Sequence, residues 1–257
     1  MFFSDKFYLD GVHSDEIGVS LITLDTDVIN DYGISFSKNV EVDALSSNAH
    51  VFYEGGDDLE DIVLYMCPAS EGDLTWDNEL IEDVYRYLLQ DKFMSFISED
   101  DLDLIYYIKP TKITKKFSAS MEGYLEVTFK LLSNCAYKRD LKKGLVQPEK
   151  RFTIKNISNT FDKFYMPIIE IENLDINKGT IIIENLTLGC EPMLISGLKV
   201  GEKIIIDNAM CTVVGINNEN KLKCCNRKWI KLCKSDNLIR VSGHCNIVIK
   251  SEFPLFR

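Results

Sequence analysis

The sequence predicts a mainly β protein of two domains, the first of which also contains one α-helix. Short runs of aromatic and β-branched residues, bounded by Gly, Asn or Asp, recur along the whole chain and are typical of β-strands. Only one stretch has apolar residues at helical spacing. The acidic residues are concentrated in the first half of the chain, which indicates two units with different surroundings.

Short strands are predicted throughout the first half of the chain. They lie at 7–9, 18–24, 32–36, 50–53, 61–67, 104–108 and 123–129. The acidic, Gly-rich segment 54–58 is predicted to join the strands on either side of it as a hairpin or a wider loop.

A single amphipathic helix is predicted over 76–90. Its apolar residues form one stripe at helical spacing, made of Leu80, Ile81, Val84, Tyr85, Leu88 and Leu89. Thr75 or Asp77 is expected to cap the N-terminus of this helix. A helix with one apolar face, in a chain of strands, is expected to pack across an open sheet.

The basic stretch 138–150, with Gly144 and Pro148, breaks the strand pattern and predicts a domain boundary. We therefore expect one domain over 1–145 and a second over 151–257. The second is predicted to be a sandwich or jelly roll of short strands separated by turn residues. These strands lie at 152–154, 166–171, 180–183, 203–206, 211–214 and 246–249.

Charge and composition exclude some classes of function. The chain has 257 residues and a net charge of −11, and residues 1–150 hold 29 Asp and Glu against 14 Lys and Arg. Such an acidic half disfavours tight binding to nucleic acid, because phosphate affinity comes from Lys and Arg. No run reaches the ~18–20 apolar residues of a membrane span. We expect no export signal, a cytoplasmic site of synthesis and reduced cysteines.

The sequence contains no pattern that predicts an enzyme, a cofactor site or a metal site. His13 and Ser14 are neighbours in a turn, and neighbours rarely adopt triad geometry. The cysteine and histidine group lacks paired Cys-x-x-Cys spacing; it comprises Cys224, Cys225, Cys233, His244 and Cys245. The acidic segment 57–61 lacks the alternating ligands of a calcium-binding EF-hand loop. We predict no catalytic residues, and a hydrolase is disfavoured.

One cluster leaves a binding function open. Trp229, with Asn226 and Arg227, could form a sugar-stacking platform in the second domain. A lone Trp in a sandwich more often belongs to the core or to an interface. Carbohydrate binding is therefore kept as an alternative that depends on these three residues.

An ordered set of segments resembles phage distal tail proteins. The opening 7–19 is similar to the family's aromatic strand, Asp-Gly turn and Ser-Asp pair. The helix is followed by an acidic turn and a Tyr-Tyr strand over 96–107, and then by a strand over 123–135. In the second half the matching segments are 157–159, 166–171, 201–207 and 243–249. The segment 39–49 and the many cysteines of the second domain depart from the family pattern.

This resemblance implies a structural virion protein at the tip of a long phage tail. The N-terminal β-sandwich with its helix would form a homohexameric ring stacked on the tail tube protein. The C-terminal domain would be a galectin-like β-sandwich that docks tail-tip, baseplate hub or receptor-binding proteins. The protein would be assembled in the bacterial host cytoplasm. DNA would pass through the lumen without specific binding, and we expect the acidic excess of 1–108 partly to line that lumen.

Overall fold

The computed structural model describes residues 2, 4–24, 40–46, 49–54, 61–70, 74–133, 135–160, 164–177 and 179–256, with the backbone alone for 40–54. The chain divides into two compact units, Met1–Tyr137 with Phe256–Arg257, and Lys138–Leu255. The strand predicted at 32–36 and most of the turn at 54–58 lie outside the described residues. Within the described ranges, no helix is long and apolar enough to cross a membrane.

The first unit is mostly strand, and the predicted mainly β class is confirmed. Its elements are β1 (Phe7–Leu9), β2 (Val12–His13), α1 (Ser14–Ile17), β3 (Val19–Ile22), β4 (Val40–Ser46), β5 (Ala49–Glu54), β6 (Asp61–Pro68), α2 (Asn78–Leu88), β7 (Met94–Ser98), β8 (Leu104–Phe117) and β9 (Gly123–Leu131).

One antiparallel sheet runs through the first unit in the order β2-β1-β7-β8-β9-β6-β3. The sheet curves back on itself, since the backbone N–H of Leu21 in β3 donates to the carbonyl of Asp5, just before β1, at 2.8 Å. Of the two connections predicted across 54–58, the hairpin is wrong, because the strands on either side of it do not pair with each other. β5 pairs with β4 and β6 pairs with β3 and β9, because the apolar residues of β6 belong to the core of the larger sheet.

The alternation of side chains along β6 and β9 defines the two faces of this sheet. Leu64, Leu125 and Val127 point into the core and are at most 6% exposed. Their neighbours along the strands point the other way. Val63 lies opposite Thr128 and Tyr65 lies opposite Glu126, on a face that remains partly exposed.

The predicted helix is confirmed as α2, which begins and ends two residues inside the predicted range 76–90. Asp77 is its N-cap, because the Asp77 carboxylate accepts a hydrogen bond from the N–H of Leu80 at 2.6 Å. The buried face of the helix carries Ile81, Val84 and Leu88.

The start of α2 is anchored to the turn between β8 and β9. Trp76 is 2% exposed, its Nε1 donates to the carbonyl of Gly123 at 3.0 Å, and its ring stacks on Phe117. Gly123 has a φ of 149°, and a Cβ at this position would collide with the carbonyl oxygen of Lys116. The glycine therefore permits the close approach that brings its carbonyl to the indole.

The second unit is a sandwich of two sheets around one apolar core. Its elements are β10 (Ala136–Val146, which begins in the first unit), β11 (Glu149–Lys155), β12 (Phe164–Tyr165), β13 (Ile168–Asn173), β14 (Ile181–Asn185), β15 (Met193–Ile195), β16 (Lys203–Asp207), β17 (Thr212–Gly215), the 3-10 turn Leu222–Cys224, β18 (Leu232–Cys233), β19 (Asp236–Ser242) and β20 (Cys245–Leu255). The sheets have the orders β17-β16-β13-β20-β10 and β11-β19-β14-β15. The strands β12 and β18 pair separately.

The stretch 138–150 is strand, although the sequence suggested that it is rich in turns. β10 continues to Val146, and β11 begins at Glu149. Exposure alternates along this part of β10, so that Arg139 and Lys143 are exposed, Lys138 and Lys142 are partly buried, and Val146 is buried in the core. Lys and Arg can extend their charged ends into water from such positions.

Buried asparagines hold the loops of the second unit in place. Asn237 is fully buried, and its amide group donates to the carbonyls of Cys233 and Ser235 at 2.9 and 2.8 Å. Asn173 is 1% exposed and donates to the carbonyl of Leu198 at 3.1 Å. These amides satisfy backbone groups that no strand ladder reaches.

We predict that Trp76→Ala lowers the free energy of unfolding of the first unit by about 3–5 kcal/mol, because it empties a large buried volume. Trp76→Phe keeps most of the apolar packing but loses the hydrogen bond, and we expect a loss of about 1–2 kcal/mol. Urea unfolding followed by far-UV circular dichroism measures both losses. Trp229 remains in both variants as a fluorescent reporter of the second unit, whose transition is expected not to move. An unchanged first transition in Trp76→Ala contradicts the anchoring role.

Candidate functional site

The three residues of the sugar-platform prediction lie in one turn of the second unit, beside the edge strand β15. The side chain of Asn226 bonds to the backbone of β15 and of the residue before it. Its side-chain amide donates to the carbonyl of Pro192 at 2.9 Å, and its Oδ1 accepts from the N–H of Leu194 at 3.0 Å. Trp229 is partly buried against the core, and Arg227 is exposed with a φ of 61°. The structure therefore gives Asn226 a structural role in holding this turn.

The cysteines and histidine considered as metal ligands are spread over different environments. Cys245 is fully buried, Cys225 is 8% exposed, and Cys233 lies beside the side chains of Ser235 and Asn237. Burial raises the pKa of the Cys225 thiol, and it raises the pKa of Cys245 from 9.0 to about 11. Among the described residues, no three His, Cys, Asp or Glu side chains come together as a metal site would require.

His13 and Ser14 do not form a nucleophile and base pair. The Oγ of Ser14, which is fully buried, accepts from the N–H of Phe7 at 3.4 Å. His13 is the N-cap of the short helix α1, since its Nδ1 accepts from the N–H of Asp15, and its Nε2 lies 2.9 Å from Glu99. Both ring nitrogens of His13 therefore have structural partners.

Two groups of acidic side chains lie close together in the described part of the first unit. One lies on α2 and includes Glu79 and Glu82. The other lies around α1 and the β7–β8 turn. Lys6 partly neutralises this second group, because its Nζ lies 2.5 Å from Asp15 Oδ1, a contact that raises the pKa of Lys6 and lowers that of Asp15. The members of the second group that are exposed are Asp15, Glu16, Glu99 and Asp103.

Lysines of the first unit cluster on β8 and β9. Lys112 lies opposite Thr128, Lys116 lies opposite Tyr124, and Lys130 follows at the end of β9. All three lysines are exposed on the sheet face that is turned away from the core. A unit that is acidic in total therefore carries a local basic surface, which is the type of feature that guides contacts between proteins.

A cleft of about 240 Å³ lies on the outer face of the sheet β16-β13-β20 in the second unit. Ile205 and Val248 form part of its apolar lining, and Ile216, which is 68% exposed, stands at its edge. The charges beside it pair with each other, since Lys203 lies 3.6 Å from Glu172 and Asn246 donates to Glu172 at 3.0 Å. The Glu172 pKa is lowered, chiefly by the hydrogen bond from Asn246.

Comparison with known families identifies both units. The sequence model of a family described as a phage tail protein N-terminal domain matches residues 2–131. A second, described as a phage tail C-terminal domain, matches residues 137–251. A curated relative, the SPbeta prophage-derived uncharacterized protein YomH of Bacillus subtilis (strain 168), is 26% identical over 185 residues, which are 69% of this chain and 70% of the relative.

Solved structures share the fold over nearly the whole chain. The SPP1 Dit protein (gp 19.1), presented as a paradigm of the hub adsorption apparatus in phages that infect Gram-positive bacteria, superposes with a TM-score of 0.59 at 13% identity and covers 96% of this chain and 98% of its own. A chain of the phage P2 baseplate in its activated conformation with Ca gives a TM-score of 0.56 at 12% identity, and covers 96% and 97%.

We predict that the raised pKa of Cys245 makes the second unit less stable at alkaline pH. Between the unfolded and folded pKa values the folded state keeps the thiol proton that the unfolded chain releases. The contribution of the protonated thiol to the free energy of unfolding is therefore complete below pH 9.0 and is lost as the pH rises through about 11. The loss is about 2–3 kcal/mol. Urea unfolding at several pH values, followed by fluorescence, measures it in a Trp76→Phe background, in which Trp229 is the one remaining tryptophan. Cys245→Ala removes this part of the pH dependence, and an identical pH slope in both proteins contradicts the prediction.

Proposed function

Because the chain belongs to a family of phage tail proteins, we propose that it is a structural adaptor at the tail tip, where its copies form a ring between the tail tube and the baseplate. The observation that carries this proposal is that both units match the family in order, with the same fold as SPP1 Dit over 96% of the chain. A fold shared over its full length supports a role that uses both units. The proposed ring is a homohexamer of the first unit, and the function is non-enzymatic.

The second unit would dock other tail-tip proteins, such as baseplate hub or receptor-binding proteins. Its loops are pinned by buried amides, so they form a fixed surface rather than an adaptable one. Exposed aliphatic side chains stand on these loops, among them Ile176 at 82% and Val200 at 58%. Apolar side chains on rigid loops favour a protein partner.

The lumen of the ring would be lined in part by acidic side chains. The group around α1 and the β7–β8 turn supplies suitable residues, since Glu16 and Asp103 are exposed there. Negative charge at this position repels the phosphates of passing DNA over about 8 Å in physiological salt. DNA would then move through the ring without being held.

A second candidate function is carbohydrate binding by the second unit. Its support is that Trp229 remains partly exposed beside the exposed Arg227. The side chain of Asn226 already bonds to the backbone of Pro192 and Leu194, which argues against its pointing, with Trp229 and Arg227, toward one bound sugar. Glycan-array binding of the full chain that disappears in Trp229→Ala supports this alternative, and equal binding by the wild type and the variant excludes Trp229 as the platform.

We predict that the purified chain forms a six-fold ring, alone at high concentration or on isolated tail tubes. Light scattering coupled to size-exclusion chromatography measures the mass, and negative-stain images show the symmetry. A mass of six copies with a central hole is the expected result. A chain that stays monomeric at high concentration and adds no ring to tail tubes contradicts the proposed adaptor.

A further inference from the structure

The first unit presents two unlike surfaces on opposite sides, which we call the sheet face and the helix face. The sheet face consists of the outward side chains of β6, β9 and β8. It combines apolar and aromatic side chains with lysines. Its central residues are Val63, Tyr65, Tyr124, Lys112 and Lys130. The rings of Tyr65 and Tyr124 meet edge to face with centroids 5.6 Å apart, and Val63 is 43% exposed.

The sheet face is positive in an acidic unit. Lys116 lies 3.9 Å from Glu126, but Lys112 and Lys130 have no ion pair among the described residues. Among the described residues of β6 and β9, Asp61, which lies opposite Lys130, is the second acidic group of this face. Lys109, opposite Lys130, pairs with Asp91 at 2.6 Å. Apart from that pair, three lysines face two carboxylates among the described residues, so this face is positive.

The helix face is the outward surface of α2 and is negative. Glu79 and Glu82 are exposed on it, and the Glu82 side chain is 72% exposed. Arg86 pairs with Asp83 and also lies 3.9 Å from Glu82, so one arginine is shared between two carboxylates. With Glu79, the helix face therefore carries three carboxylates against one arginine. Tyr87, which is 37% exposed, adds an aromatic ring to the same helix.

The two faces lie on opposite sides of β8. Lys115 Nζ is 5.3 Å from the centre of the Tyr85 ring on α2, so Lys115 points toward the helix. Its neighbours along the strand, Thr114 and Lys116, point to the other side because side chains alternate on a strand. The sheet face is therefore turned away from the helix face.

We propose that neighbouring copies of this chain contact each other head to tail, with the sheet face of one copy against the helix face of the next. Charge complementarity supports a second copy as the occupant, because Lys112 and Lys130 face outward on one side while Glu79 and Glu82 face outward on the other. A two-fold contact of the sheet face with itself would bring like charges together. Contacts between unlike faces can close into a ring, as the proposed adaptor requires; this inference rests on that proposed function.

The test uses two charge-reversed variants of the full chain. One is Lys112→Glu with Lys130→Glu, and the other is Glu79→Lys with Glu82→Lys. All four side chains are exposed, so we expect both variants to fold. Glu79 lies in the first turn of α2, where a lysine opposes the helix dipole, so the second variant is expected to have a slightly lower thermal midpoint. In either variant alone the two faces carry the same sign. We expect the concentration at which half of the rings dissociate to rise at least about tenfold, which light scattering on a dilution series measures.

Mixing the two variants distinguishes this contact from a general loss of assembly. In an alternating ring every sheet face meets a helix face of opposite sign, so the mixture is expected to recover rings with equal numbers of each variant, as native mass spectrometry can show. Lys155→Glu, a reversal on the exposed surface of β11 in the second unit, is the matched control and is expected to assemble normally.

The remaining outcomes distinguish a failure of the proposed contact from a failure of the proposed ring. If both variants assemble as well as the wild type, or if their mixture does not recover rings, the head-to-tail contact is overturned while the ring stands. If the wild type forms no ring alone or on tail tubes, the adaptor function itself fails and the contact fails with it.

Discussion

The burial of Trp76, together with its hydrogen bond to the carbonyl of Gly123, is the constraint on which the position of α2 depends. It anchors the start of α2 to the end of the β8–β9 hairpin, and the ring of Phe117 stacks on the same indole. This anchor places the helix over the side of the sheet to which Leu125 and Val127 contribute. The opposite side of the sheet, which carries Val63 and Lys112, stays exposed.

The separation of the two sides of the sheet explains how a unit with a net negative charge carries a basic and aromatic surface. Alternation along β8 and β9 sends every second residue outward, so Lys112 and Lys130 appear on the same face as Tyr124. The glutamates of α2 are directed to the other side by the same packing. With positive charge on the sheet face and negative charge on the helix face, contacts between unlike faces of two copies are favoured over contacts between like faces. Contacts between unlike faces are the type that can close into a ring.

The second unit relies on a different device. Its strands are short, and buried amides such as those of Asn173 and Asn237 bond the loop carbonyls that the ladders do not reach. The same chemistry holds the turn of Asn226, which the sequence offered as a sugar ligand. An amide that satisfies two backbone groups is part of the scaffold, and the loops it supports become a fixed surface.

The sequence by itself determined the mainly β class, the helix near 76–90 and the resemblance to phage distal tail proteins, which the family matches and the shared fold confirm. The spacing of apolar residues predicts the strands and the helix, and the order of short motifs gives the resemblance. Both can be read from neighbouring residues in the sequence. It did not determine that β6 pairs with β3 and β9, that 138–150 is strand, or which charges share a face. Strand partners and the neighbours of Lys112 are set by long-range packing, so only the tertiary structure decides them.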